Sequence, residues 1–316
     1  MKASKGKYLA ILFAMFLISV SCPAFTGELS DDAKYQADLD EGISLLKSGS
    51  RDDLSRSIAK FKSALKIRPE SAEAYYWISL AYSDQNNYLR AADNAKDATI
   101  YDERFAGAWL LWGQVLLYQK NWDEALAKLE TAARLEPDNP VTQFNLGRVH
   151  YHGFNNPDTA LSKFRSVWQQ SQALRRDDPS AADLLVQARL YMGYCEFDRG
   201  RWDNAINAFR DVLAEQGNHY EAALRLAMSY RNLGRVPEAE RILQSMLRVI
   251  PPDNPANLRM IGEVNLQLAD LYLKDPNLRN KMFALAHLRG FLDLASEGHS
   301  MYEPAQQYLA ANEFTD

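Results

Sequence analysis

The sequence predicts an all-α fold: a solenoid of about seven helix pairs closed by a C-terminal capping helix. Three observations carry this. Matching residues recur at a step of 34: Tyr75 and Trp109, Tyr88 and Trp122, Ala91 and Ala125, Ala98 and Ala132, Gly113 and Gly147, Gly200 and Gly234, Ala205 and Ala239. Small residues return at fixed places in two successive amphipathic stretches. They are Ser79, Gly113, Gly147, Gly193 and Ala227 in the first stretch, and Ala91, Ala125, Ala160, Ala205 and Ala239 in the second. A missing side chain at a helix crossing lets two helix backbones approach closely. Proline follows the second stretch at Pro69, Pro137 and Pro251, where a helix has to stop.

Composition bounds the rest. The 316 residues are 47% hydrophobic and 24% charged, which excludes wholesale disorder. Two cysteines exclude a disulfide framework and a four-thiolate zinc site. A net charge of −5 gives none of the basic excess on which nucleic-acid binding rests.

The chain opens with Lys2, Lys5 and Lys7, followed by the nearly unbroken apolar run Tyr8–Val20. As a helix that run reaches about 20 Å, short of the ~30 Å core of a bilayer. A basic start, a short apolar run and small residues beyond it predict a secretory signal peptide over 1–21, or up to 24 with ordinary signal-peptidase cleavage after Ala24. Ser21-Cys22-Pro23-Ala24 leaves two outcomes open. Cys22 follows a small residue at the end of the apolar run, which resembles a bacterial lipoprotein signal. In that case its thiol is acylated and ties the protein to a membrane surface. Alternatively, Cys22 is discarded. Ser19 and Pro23 both depart from the lipoprotein pattern. Without residues 1–21 the balance is 33 basic against 41 acidic residues, or −8. None of the 18 asparagines lies in an Asn-X-Ser/Thr acceptor site, which leans toward a bacterial envelope protein.

Residues 22–34 read as a short linker. The first part of the array then covers 35–174 and contains four units. Residues 35–71 carry Gly42, Phe61, Ala64 and Pro69. Units 72–105 and 106–139 follow, the latter with Trp109, Gly113, Trp122, Ala125, Ala132 and Pro137 all in register. Unit 140–174 carries Leu146, Gly147, Ala160 and Phe164 after a one-residue insertion at 152–157. The second part covers 183–300: units 187–219 and 220–253, then 262–297 with Leu268, Ala269, Tyr272, Ala284 and Leu288. Residues 301–316 read as the capping helix and tail. Gly147 and Gly193 lie 46 apart, twelve beyond one period, so 175–182 reads as a joint or a longer loop between the two parts.

These positions resemble the tetratricopeptide-repeat (TPR) family over 35–297. The resemblance implies a right-handed solenoid whose concave face is lined mainly by first helices. In this register the side chains expected there, as a partner-binding groove, are Tyr76 and Leu80; Leu110, Gln114 and Leu117; Phe144, Arg148 and Tyr151. After the joint come Leu190, Tyr194 and Phe197, then Leu224, Met228 and Arg231, and beyond these Leu266 and Asp270. Aromatic residues and arginine are the types enriched at binding hot spots, and a long apolar stripe wants covering. Repeats that clamp acidic C-termini carry lysines and asparagines where this chain has Tyr76, Leu80, Leu110 and Gln114, so a carboxylate clamp is not expected.

Chemistry is sparse. His150 and His152 lie two apart, about 200° around a helix, and cannot share a metal. His219 falls at a helix–helix turn. Cys195 sits inside a helix between Tyr194 and Glu196 and reads as a core residue. Asp31-Asp32, Asp52-Asp53 and Asp177-Asp178 stand where they favour helix N-termini. No nucleophile-elbow, Walker A, dinucleotide or H-E-x-x-H pattern occurs. The expectation is a protein without catalytic, cofactor or metal sites. It would be a non-enzymatic scaffold in the periplasm, or on the periplasmic face of the outer membrane, that binds one or more protein partners in the cell envelope, touching membrane only through Cys22. Two finer expectations accompany it. One is an anchored repeat lipoprotein assisting assembly of a secretin, pilus or export complex. The other is a soluble periplasmic subunit of a polysaccharide-export or transport complex.

Overall fold

The computed structural model describes residues 30–174, 179–274, 280–295 and 297–312. The signal segment, Cys22 and the centre of the predicted joint lie outside the described residues. Fifteen helices and no strands are found among the described residues. They are α1 (Asp31–Ser48), α2 (Arg51–Ile67), α3 (Ala72–Asp84), α4 (Tyr88–Tyr101), α5 (Ala106–Tyr118), α6 (Trp122–Leu135), α7 (Pro140–His152), α8 (Pro157–Leu174), α9 (Pro179–Asp198), α10 (Trp202–Glu215), α11 (Tyr220–Asn232), α12 (Val236–Val249), α13 (Pro255–Lys274), α14 (Lys281–Leu292) and α15 (Tyr302–Asn312). α1–α8 and α11–α14 pack as six consecutive pairs and α15 packs on α14, and Gly193 of α9 faces Phe209 of α10 as a seventh, so the fold is the helix-pair solenoid the period predicts. The chain divides into two compact units, 1–185 and 186–316. α1 starts inside the segment read as a linker, because the Ser30 hydroxyl accepts from Ala33 N and Asp31 and Asp32 occupy its first turn.

The small residues do what their spacing demands. A Cβ built on Gly42 would lie 2.5 Å from the Phe61 ring, on Gly113 2.6 Å from Leu129, on Gly147 2.6 Å from Phe164 and on Gly193 2.5 Å from Phe209. One contact thus repeats along the chain: a first-helix glycine facing a large, fully buried second-helix side chain. The second-helix alanines Ala91, Ala125, Ala160, Ala205 and Ala239 are all completely buried. Where serine replaces glycine, its hydroxyl is absorbed: Ser79 Oγ donates to the Ala91 carbonyl at 2.7 Å.

The turn inside each pair repeats as closely. The turn has a residue of positive φ in six pairs: Gly49 (68°), Asn86 (59°), Lys120 (60°), Asn155 (48°), Gly200 (70°) and Gly234 (75°). The next backbone N–H then reaches back to the first helix: Asn87 N to Tyr82 O at 2.8 Å, Asn121 N to Leu116 O at 3.0 Å, Arg201 N to Glu196 O at 2.9 Å and Arg235 N to Tyr230 O at 2.9 Å. This is the left-handed C-cap that satisfies orphaned helix carbonyls. It is also why asparagine or glycine recurs at the apex.

First helices of successive pairs touch within each unit: α1 with α3, α3 with α5 and α5 with α7 in the first unit, α11 with α13 in the second. No comparable contact joins second helices among the described residues. The first-helix layer is therefore the tighter, inner one in each unit.

Candidate partner-binding face

In the first unit the inner layer presents Tyr76 and Leu80 from α3, Leu110 and Gln114 from α5, and Arg148 and Tyr151 from α7, all half-buried. The Tyr76 ring packs edge-on against Trp77 at 5.2 Å and tilts against Phe105 at 5.0 Å. Burial pushes its phenol up, so it stays neutral. The Arg148 guanidinium lies 5.7 Å from the Tyr118 ring centre and donates to Asn145 Oδ1 at 3.2 Å. Tyr151 meets His152 edge-on.

In the second unit Leu190, Tyr194, Phe197, Met228 and Arg231 are half-buried over the core. The Arg225 guanidinium lies 5.7 Å from Tyr194 and 5.4 Å from Phe197, and its Nε donates to Glu221 Oε1 at 3.0 Å. Tyr194 packs against Tyr191 and Phe209, and burial drives its phenol far up. Arg231 Nη1 donates to Gln267 Oε1 and Asp270 Oδ2, both at 2.8 Å. Its charge is therefore matched within the unit, and its fixed guanidinium offers donors rather than a free positive charge.

Four groove expectations are corrected. Leu117 is 3% exposed, Phe144 5% and Leu224 7%. Leu117 belongs to the core cluster with Leu116, Leu129 and Val149. Phe144 tilts against Phe164 at 5.5 Å, and Leu224 is part of the second unit's core. Leu117 packs among α6 and α7 side chains and Phe144 on an α8 ring, so these positions belong to the core and leave little surface for a partner. Leu266, the more distal position, is buried against the second helix α14 and the capping helix α15.

Other side chains join the face unannounced by the concave register. Arg225 supplies the cation over Tyr194 and Phe197. Tyr118, 47% exposed, stacks on Tyr88 at 5.1 Å with an 11° interplanar angle. The signal for Tyr118 was its place next to Leu117, one residue further around the helix. For Arg225 it was the neighbouring position to Leu224.

The dismissed chemistry reads as follows in the structure. Cys195 is completely buried, and burial pushes its thiol up to about 12, which removes nucleophilic character. His219 caps α11, its Nδ1 accepting from Ala222 N at 3.2 Å. His150 and His152 are both held below their ordinary range by burial. Among the described residues no group of three or more His, Cys, Asp or Glu is placed to hold a metal ion. No described helix is long and apolar enough to cross a membrane.

These observations define a class first: a helix-pair repeat protein whose inner layer carries a partly covered aromatic and aliphatic stripe. Comparison with known proteins then gives the family. Family profiles described as "Tetratricopeptide repeat" and "TPR repeat" match residues 196–259 and 113–153, and one described as "Anaphase-promoting complex, cyclosome, subunit 3" matches 59–132. The chain is built of tetratricopeptide repeats and is a protein-interaction scaffold of that type. It is 24% identical over 234 residues to anaphase-promoting complex subunit CDC16 of Saccharomyces cerevisiae, covering 73% of this chain but only 26% of that relative. It is 28% identical over 193 residues to the type IV pilus assembly protein PilF of Pseudomonas aeruginosa, covering 58% of this chain and 73% of PilF. The solved structure of PilF superposes with a TM-score of 0.57 at 20% identity, over 71% of this chain and 95% of that one. The type IV pilus biogenesis factor PilW gives 0.60 at 18% identity, over 74% and 98%. At these identities the structural matches speak for the fold alone.

Proposed function

We propose that the chain is an exported, non-enzymatic scaffold that holds a segment of a partner protein along its first-helix face. The observation that carries this is the row of half-buried side chains Tyr76, Leu80, Leu110, Gln114, Arg148 and Tyr151 in one unit, and Leu190, Tyr194, Phe197, Met228 and Arg231 in the other. Aromatic anchors flanked by guanidinium groups are suited to desolvated contacts with a protein surface. Export is supported by the basic start and the apolar run before Cys22. The likeness to PilF over most of PilF's length favours an assembly role in a bacterial envelope, for a pilus, secretin or export complex. A soluble periplasmic subunit of a polysaccharide-export or transport complex is the second form of the same reading, favoured if Cys22 is removed.

Native pull-downs with Tyr151→Ala and Phe197→Ala test the face. Partner loss with unchanged helix content supports it, and unchanged partners with both variants contradict it. Palmitate labelling of the wild type and Cys22→Ala separates the anchored from the soluble form. Label on the wild type alone supports the anchor, and no label on either favours the soluble subunit.

A further inference from the structure

A second recognition element lies outside the predicted groove. The first-to-second-helix turns of two successive pairs carry Gln85-Asn86-Asn87-Tyr88 and Gln119-Lys120-Asn121-Trp122, in register at the repeat step. They enclose an open cleft of about 760 Å³ lined by Gln85, Asn86, Asn87, Tyr88, Leu89, Gln119 and Asn121. Five of these seven side chains are primary amides and none is charged.

The hydrogen-bond ledger of the amides is one-sided. Asn87 spends its oxygen capping α4, accepting from Arg90 N at 3.3 Å, and Asn86 spends its own on the Tyr88 hydroxyl at 3.0 Å. Their NH2 groups stay unpaired. Gln119 Nε2 is buried with no partner at all, and Asn121 makes no side-chain bond to the helix it precedes. Only Gln85 has its NH2 engaged, on Ser55 Oγ at 3.3 Å. The cleft therefore offers neutral donors on the exposed Asn86 and Asn121 amides and the half-buried Asn87 amide, while the buried, unpaired Gln119 Nε2 is costly until its side chain turns toward an acceptor. Leu89, 76% exposed, supplies an apolar surface beside them.

We propose that this cleft recognises the main chain of an extended, uncharged segment of the partner protein, its carbonyls accepting from the turn amides and an aliphatic side chain lying on Leu89. The proposal deepens the scaffold reading and rests on it. Neutral donors in a row suit peptide carbonyls, whereas a carboxylate or phosphate would want a cation that the cleft lacks. A helical segment would bring its carbonyls already bonded internally. A saccharide would want an open ring face to stack on. The Tyr118 ring beside the cleft is already stacked on Tyr88 and carries the Arg148 guanidinium.

The test is 15N NMR of the full chain, reading side-chain NH2 resonances. The probes are a blocked neutral pentapeptide of alternating alanine and leucine and, as comparator, maltohexaose. The NH2 signals of Asn87, Gln119 and Asn121 are expected to move with the peptide and stay still with the sugar. Asn121→Ala and Gln119→Ala, neither of which removes a side-chain helix cap, should each weaken peptide binding by about two- to tenfold. Movement with maltohexaose alone, movement confined to first-helix amides such as Gln114, no movement with either probe, or unchanged affinity in both variants overturns the proposal. Pull-downs separate this from the broader reading. Partner loss in Tyr151→Ala but retention in Asn121→Ala removes the cleft and keeps the scaffold, whereas retention in both removes both.

Discussion

Replacing Gly193 by alanine should destabilise the second unit by about 1–2 kcal/mol. The new methyl would sit 2.5, 2.9 and 3.0 Å from three atoms of the Phe209 ring. Phe209 is completely buried and tilts against Tyr194 at 5.8 Å, so the ring has nowhere to turn. Overpacking of this kind costs about 1–3 kcal/mol, and distances this short place it in the upper half. Alanine returns about 1 kcal/mol of helix propensity, which leaves the stated net loss. Gly262→Ala is the internal control, because its methyl would meet Leu294 Cβ at 3.5 Å, an ordinary contact. There the propensity gain stands alone and stability should rise by up to about 1 kcal/mol. Urea denaturation followed by far-ultraviolet circular dichroism reads both. Phe209→Leu in the Gly193→Ala background should recover part of the loss, giving a coupling energy of about 1 kcal/mol in a double-mutant cycle. If Gly193→Ala is as stable as the wild type, or if both alanines shift stability in the same direction, the glycine–aromatic contact is not what sets the helix spacing.

Other consequences are open to measurement. Lys120→Gly relieves a positive φ and should stabilise the first unit by about 0.5–1 kcal/mol, while Gly234→Ala, with nothing within 4 Å of the added methyl, should cost about 1 kcal/mol through the backbone alone; both are read by urea denaturation. Cys195 should resist a thiol reagent in the native state and react fully in guanidinium, since burial both shields the thiol and pushes it up to about 12. His150, His152 and His287 are held below their ordinary value near 6.5 by burial, so the unfolded chain takes up protons first as pH falls. Stability should therefore decline as pH drops below about 6.5, and His287→Gln should flatten part of that slope in denaturation curves at pH 7.5 and 5.5.

The repeat architecture was readable because each unit must solve the same packing problem. Gly113, Gly147 and Gly193 had to be small where a second helix crosses, and the structure sets Leu129, Phe164 and Phe209 against them. The register of the first-helix side chains was readable, but their depth was not. Leu110 and Leu117 are the same residue type on the same helix, yet one is half-buried and the other 3% exposed. Hydrophobicity does not say how deeply a side chain sits in the core, and that depth removed Leu117, Phe144 and Leu224 from the face. The turn geometry was visible only at Gly49, Gly200 and Gly234. Asn86, Lys120 and Asn155 adopt the same positive φ without the glycine that advertises it. The amide cleft was hidden for a related reason. Gln85 and Gln119, like Asn87 and Asn121, repeat at the array's step, but as polar turn residues they look like solvated loop.

The central claim is that a partner lies on the first-helix face. A photo-crosslinking amino acid placed at Leu110 or Leu190, against the same group at the exposed second-helix positions Ile100 and Arg248, tests it most directly in the cells that make the protein. The account predicts one shared adduct from the first-helix positions and none from the second-helix ones. Adducts confined to Ile100 or Arg248 would contradict it.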